Sequence, residues 1–377
     1  MHRETQSTPQ QDSWKQAVTE SLYRTGALRV VQRLSQSYEL RPNAGHRPHW
    51  RRVRTAKYAI LTYHRVGTEG VPLYCTLPNQ TFERQMRYIA TNYRVLSIGE
   101  MVAELSGQEK SGQAVAITFD DGYLGTYLEA YPILRKYNLP VTVYLSTSAI
   151  ETGEALWYDR IFLCFQKAPS QLTIKLDTPR TYSLKTFADR IEAAAGVVMY
   201  LRSLPDGERQ AWCREFDARL PLKSADTRGA MMTWEQAREM QKGGVDFGAH
   251  TMTHPVVSRL QTEDLRRELS ESKRLIEQRL NSPVDSFAFP FGKSLDCGYG
   301  INHILTSCGF RSAMTSIVGI NEPGVDLFRI RRLGVESSPN IAHFAFQLQR
   351  AFMYPEDEEL TGSRAQGQPE EISCETT

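Results

Sequence analysis

The run VAITF at 115–119 is almost continuously apolar and stops at Asp120, Asp121 and Gly122, three residues that cannot prolong it. A strand with no polar face has to be covered on both sides, and parallel sheets flanked by helices supply that cover. Helical spacing follows in Leu124, Leu128, Tyr131, Leu134 and Tyr137, and a second buried run fills 141–145 after Asn138-Leu139-Pro140. Strand, helix, strand at crossover distance predicts a parallel α/β unit. The same alternation predicts further strands at 58–63, 94–97, 245–248, 286–289, 310–313 and 328–333, with helices between them and a last helix over about 340–352. Seven or eight such strands fit a closed or nearly closed β/α barrel better than a doubly wound sheet. Barrels gather their chemistry at the carboxyl ends of the strands, and Asp120, His250 and His254 all come directly after strands.

The stretch 157–230 breaks the rhythm with an aromatic helix, an alternating strand LTIKL at 172–176 and two helical segments near 185–203 and 206–220. It reads as a mainly helical insertion that caps the barrel. The pattern resumes at Thr233-Trp234-Glu235-Gln236, the spelling of a capping box.

The ends of the chain are unlike its middle. Residues 1–57 hold eleven Lys/Arg against four Asp/Glu, and 355–377 hold one Arg against seven acids, so both read as solvated arms. The expected layout is an arm over 1–55, the barrel over 56–353 with the 157–230 insertion, and an acidic disordered tail over 354–377. Within the arm, Trp14, Val18, Leu22, Leu28, Val31 and Leu34 form an apolar helical stripe over 12–37. Such a stripe suits docking on the protein's own body, on an assembly partner or on an anionic membrane surface. Arg41, Arg47, Arg51, Arg52 and Arg54 then mark a basic linker.

A formal charge of only +2 over 377 residues gives no reason to expect nucleic acid. Six scattered cysteines without a Cys-x-x-Cys pair argue against a thiolate metal site and a disulfide framework. With no secretory leader pattern and no run of 18 apolar residues, the expected location is the cytoplasm, with peripheral contact at the inner membrane if the stripe binds lipid.

In His250-Thr-Met-Thr-His254 two imidazoles stand four residues apart, close enough on one turn to share a metal. The spacing alone also suits two surface or capping histidines, and Asp120-Asp121-Gly122 alone also suits an ordinary turn. Both groups following buried strands favours the metal: two histidines, one carboxylate and an open position for water make a hydrolytic site.

Three segments, ITFDDGY at 117–123, GAHTMTHP at 248–255 and FAFPFG at 287–292, resemble the first three motifs of the polysaccharide deacetylase family, the NodB-homology or carbohydrate esterase family 4 group. The resemblance runs over about 56–350. It is nearest to the branch that opens with a YHRV-type strand and is often found with bacterial exopolysaccharide genes. It implies a distorted (β/α)7 barrel and metal-dependent removal of N-acetyl groups from an amino-sugar polymer or lipid-linked glycan. It also implies one divalent cation, zinc first, held by Asp121, His250 and His254, with Asp120 as catalytic base. The Tyr123 N–H is implied to help stabilise the oxyanion, and Pro290 and Gly292 belong to the motif that lines the groove.

The sequence departs from the family in two places. Where the third motif begins with an arginine, this chain has Ala288 and Phe289, and Arg332 is the candidate to supply the guanidinium from elsewhere and is expected on the substrate side of the groove. No Leu-x-His segment provides the proton donor. His2, His46 and His49 lie in the arm or linker, His303 in a peripheral helix, and His250 and His254 are taken by the metal. Of His64 and His343, only His64 follows a barrel strand, so it is preferred; His343 and a shuttling water are the alternatives. Trp157, Tyr158, Trp212, Trp234 and the pair Asp159-Arg160 are candidates for the sugar side, with core packing the plainer explanation of the aromatics. Two other readings stay open: a weakly active polysaccharide-binding relative, and an amidase for a non-peptide C–N bond.

Overall fold

The computed structural model describes residues 56–67, 76–107, 112–220, 222–227, 229–335 and 340–353; the arm with its stripe and basic linker, and the acidic tail, lie outside the described residues. The strands are β1 (Lys57–Tyr63), β2 (Arg94–Val95), β3 (Gln113–Phe119), β4 (Val141–Leu145), β5 (Gln171–Lys175), β6 (Pro179–Ser183), β7 (Val245–Ala249), β8 (Ser286–Ala288), β9 (Ser312–Val318) and β10 (Ile330–Gly334). The α-helices are α1 (Asn79–Asn92), α2 (Ile98–Leu105), α3 (Tyr131–Lys136), α4 (Thr147–Thr152), α5 (Trp157–Lys167), α6 (Phe187–Ser203), α7 (Asp206–Arg219), α8 (Ser224–Thr227), α9 (Trp234–Lys242), α10 (Thr262–Leu280), α11 (Asn302–Ser307) and α12 (Ile341–Met353).

Seven strands pair in parallel in the order β1-β3-β4-β7-β8-β9-β10, and β10 returns to β1 to close the ring. This is a (β/α)7 barrel. The segment expected as a strand at 94–97 is the two-residue β2, which pairs on β3 outside the ring. The strand expected at 310–313 begins two residues later and runs on to Val318. Its second half, Thr-Ser-Ile-Val, gives no clean apolar signal. β6 went unpredicted because Pro-Arg-Thr-Tyr-Ser carries no apolar alternation.

Side chains alternate along the barrel strands. Tyr58, Ile60, Ala114, Ala116, Tyr144, Ala288, Met314 and Ile330 fill the interior together with Ile98, Met101 and Leu105 of α2. Ala59, Leu61, Val115, Ile117, Val143 and Leu145 point outward into the core shared with the helices. Helix α2 starts with a capping box between Ser97 and Glu100. Its Glu104 takes the Tyr58 hydroxyl at 2.8 Å, fixing the helix against the amino end of the barrel. The chemistry is left to the opposite mouth.

Register sets what meets there. β1 and β3 align Tyr63 with Phe119, so the next residues, His64 and Asp120, emerge side by side, with Asp120 N donating to Tyr63 O at 3.0 Å. β4 and β7 align Leu145 with Ala249, and His250 N donates to Leu145 O at 3.0 Å. Between β9 and β10 the register shifts from Ile330 opposite Met314 to Arg332 opposite Val318, an irregularity of the kind that re-aims a side chain.

The insertion packs α5 on α6 beside the β5–β6 hairpin. Arg190 Nη1 caps the end of α5, donating to Phe165 O at 2.6 Å and Ala168 O at 2.8 Å. Among the described residues no helix is long and apolar enough to cross a membrane.

Candidate metal and catalytic site

Asp121 leaves β3 with φ 74°, Thr251 and His254 follow β7 with φ 64° and 55°, and Phe291 follows β8 with φ 59°. Among the described residues two other non-glycine positions have positive φ, Asn138 and Asn281, a residue type that tolerates it. Left-handed backbone at a β-branched threonine is costly, and here it gathers on the loops around one point. Gly122, with φ 88°, is required by space as well: a Cβ there would lie 2.8 Å from both Ile150 Cδ1 and Leu145 Cδ2.

At that point Asp121 Oδ1 lies 3.3 Å from His254 Nε2 and 3.5 Å from His250 Nε2, all three side chains buried. Asp121 Oδ1 is buried without a hydrogen-bond partner. Four ligands about 2.1 Å from a tetrahedral cation stand about 3.4 Å from one another, so the two imidazoles and the carboxylate fit a small divalent ion. His250 Nδ1 is fixed at 2.7 Å from Ala288 O, which turns Nε2 toward Asp121. Burial works to raise the Asp121 carboxyl, but the two imidazoles beside it hold it well below the ordinary carboxylate range.

Glu268, buried on α10, holds the loop between the histidines. Its carboxylate accepts Met252 N at 2.7 Å, Thr253 N at 3.0 Å and Thr253 Oγ1 at 2.8 Å. Burial pushes its carboxyl upward against those three donors. Glu268→Ala strands two part-buried N–H groups and is expected to lower the unfolding free energy by about 1–2 kcal/mol. Urea titration checks this, and a midpoint equal to the parent's would show that the loop holds its shape without the glutamate.

Asp120 lies behind the metal set. Arg332 donates to it in bidentate fashion, Nη1 to Oδ1 at 2.8 Å and Nη2 to Oδ2 at 2.7 Å. The guanidinium also donates Nε to Thr315 O at 2.7 Å and is only 1% exposed. It therefore stands behind the carboxylate and is not a groove contact for substrate. Burial tends to raise Asp120, and Arg332, with His250 and His64 adding to it, overcomes this and holds the carboxyl below its ordinary value. His64 Nε2 lies 3.9 Å from Asp120 Oδ2, and its side chain is 54% exposed. His343 is half-buried on α12, the helix that packs on α1 and β1.

Pro290 and Gly292 are both buried; Gly292, φ 68°, presses on β9, where a Cβ would meet Ser316 N at 2.8 Å. Phe291 between them is half-buried, its ring 4.8 Å from that of His254 and under the Arg202 guanidinium at 4.1 Å. At the Asp120-Asp121 turn Gly122 N donates to Asp120 O, Leu124 N to Ala230 O and Met232 N to Gly122 O; the Tyr123 N–H has no part in these bonds.

Asp159 and Arg160 turn apart. Asp159 turns inward to Arg65 Nη2 at 2.7 Å, and burial pushes its carboxyl up to about 6 against the pull of that guanidinium. Arg160 turns outward to Glu154 and Asp217, each at 2.9 Å. Trp212 stacks on Phe216, and Trp234 is buried with its N–H on Glu151. Sequence reasoning passed over Arg65 and Glu268; charges beside a strand end and on the inner face of a helix were the available signals.

The sequence profile of the family described as Polysaccharide deacetylase matches residues 107–311. A stretch of 99 residues is 36% identical to YxkH of Bacillus subtilis (strain 168), which carries the same family name; it covers 26% of this chain and 34% of that one. The chain thus matches about a third of that relative's length. The structure of the Streptococcus pyogenes deacetylase PplD in complex with acetate aligns with a TM-score of 0.53 at 20% identity, covering 78% of this chain and 97% of that one. IcaB from Ammonifex degensii aligns with a TM-score of 0.50 at 19% identity, covering 77% and 97%. At these identities the two structures establish a common fold. The profile match takes in more than half of the chain and all of Asp120, Asp121, His250 and His254, and the chain belongs to the polysaccharide deacetylase family.

Proposed function

We propose that this protein is a metal-dependent deacetylase that releases acetate from N-acetylated sugars of a polymer or lipid-linked glycan. The observation that carries the reading is one buried cluster with two differently treated carboxylates. Asp121 turns an unpartnered oxygen to two imidazoles, while its neighbour Asp120 is kept off that set and anionic by Arg332.

Zinc is the proposed ion, since it accepts a mixed nitrogen and oxygen set of three ligands with a fourth position open. Bound there, the cation supplies Lewis acidity to the acyl oxygen and the attacking water. Asp120 takes the proton from that water, a task for which its anionic state prepares it. The Tyr123 N–H faces the oxyanion as charge builds on it. His64, beside the base yet open to the groove, gives a proton to the departing amine nitrogen, which is a poor leaving group without one.

Acetate release from N-acetyl chitooligosaccharides and from N-acetylated exopolysaccharide tests the reading. Release is expected with one equivalent of Zn²⁺, lost on chelation and restored by added metal. No release from either substrate by the metal-loaded protein would sink it. His64→Gln is expected to lose about 10²–10⁴ in rate together with the alkaline limb of the rate profile, because a general acid acts only while protonated. His343→Gln is expected to keep both. The reverse outcome would make α12 the source of the acid.

A further inference from the structure

Helix α5 of the insertion opens with Trp157, Tyr158 and Asp159, and the last two are buried. Tyr158 Oη donates to Asp121 Oδ2 at 2.9 Å, the oxygen opposite the one that meets the histidines. Asp159 Oδ2 accepts from Tyr123 Oη at 2.9 Å and from Arg65 Nη2 at 2.7 Å. The phenol oxygens of Tyr123 and Tyr158 are 3.0 Å apart, and the Arg65 guanidinium lies 3.7 Å over the Tyr123 ring. Arg65 is the residue after His64. One dipeptide of the cap therefore touches the ligand carboxylate on one side and the segment of the proposed acid on the other.

A carboxylate bound through one oxygen can still rotate about its Cβ–Cγ bond, and a hydrogen bond to the second oxygen fixes its plane. A buried ion pair adds little net stability compared with an apolar pair of the same shape, but it defines position closely. We propose that Tyr158 and Asp159 are positioning residues that the cap contributes to the catalytic centre. Tyr158 orients Asp121 toward the metal, and Asp159, through Arg65, seats the turn that carries His64. This rests on Asp121, His250 and His254 being the metal site.

Titration of the full metal-free chain with Zn²⁺ against a chromophoric chelator tests the first half. Tyr158→Phe, which removes one hydroxyl, is expected to weaken Zn²⁺ binding about 10–100-fold, keep a cooperative metal-free melting transition at a somewhat lower temperature because Asp121 Oδ2 loses its donor, and shift the visible bands of the Co²⁺-loaded protein. Parent-like affinity and spectrum in Tyr158→Phe, with zinc lost from His250→Ala/His254→Ala, would overturn the role of Tyr158 and leave the metal site standing. A parent that binds no Zn²⁺ would overturn both.

For the second half, Arg65→Gln/Asp159→Asn removes both charges and leaves neither stranded. It is expected to keep Zn²⁺ affinity within about threefold and KM unchanged, while kcat falls about tenfold or more, as misplacement of a proton donor predicts. A parent-like kcat would overturn the role of Asp159.

Discussion

Arg332→Met is expected to yield a protein less stable by about 3–5 kcal/mol, whose deacetylation requires a higher pH than the parent's. In the parent, Asp120 is buried and its two oxygens take Arg332 Nη1 and Nη2. Without the guanidinium, burial is the largest influence left on the carboxyl, and it acts to raise it. The sign follows from linkage. A carboxyl held below its unfolded value contributes stability that is present above the unfolded value and lost as pH falls through the folded one. Raised above it, the same carboxyl favours the folded state only in acid and opposes it as pH rises. The two proteins should therefore differ most near neutrality and converge in acid. Since the proposed base acts as an anion, the acid limb of the rate profile should move to higher pH. Urea unfolding at neutral and acid pH, with rate profiles at saturating metal, reads both effects. An acid limb that stays in place would mean that Asp120 is not the base.

Asp120→Asn is expected to cost about 10²–10⁴ in kcat with metal content unchanged. The amide fills the same space but cannot take a proton, and the proposed ligand atoms are those of Asp121, His250 and His254. Elemental analysis beside acetate release separates the outcomes. A rate within a few-fold of the parent's would refute the role of base. Loss of metal from a folded variant would mean that the two aspartates have their roles exchanged.

How far the sequence could be read depended on how local each feature is. VAITF running into Asp120-Asp121-Gly122, and the four-residue step from His250 to His254, depend on neighbours in the chain, and both stand at strand ends of the barrel mouth. The Asp120–Arg332 pair joins residues 212 positions apart and depends on a register shift that no local pattern encodes. Asp159 and Arg160 part from one another for a helical reason. Adjacent residues on a helix point in different directions, so one went to the buried Arg65 and the other to Glu154 and Asp217 at the surface. Tyr158, a candidate for sugar stacking on sequence, instead reaches the Asp121 carboxylate.

The start of α5 ties the insertion to the candidate site at three points. Trp157 Nε1 donates to His254 O at 2.9 Å, Tyr158 to Asp121 and Asp159 accepts from Arg65, so three successive residues moor α5 to three separate segments of the candidate site. Regions joined in this way open together as one cooperative unit. Amide exchange in the first turns of α5 should then report the same opening free energy as exchange in the 250–254 loop, and both should slow together when metal binds. A cap that lifted to admit substrate would dismantle the centre as it moved. Under the proposed function, a glycan would then enter on the side of the exposed His64, with α5 staying in place.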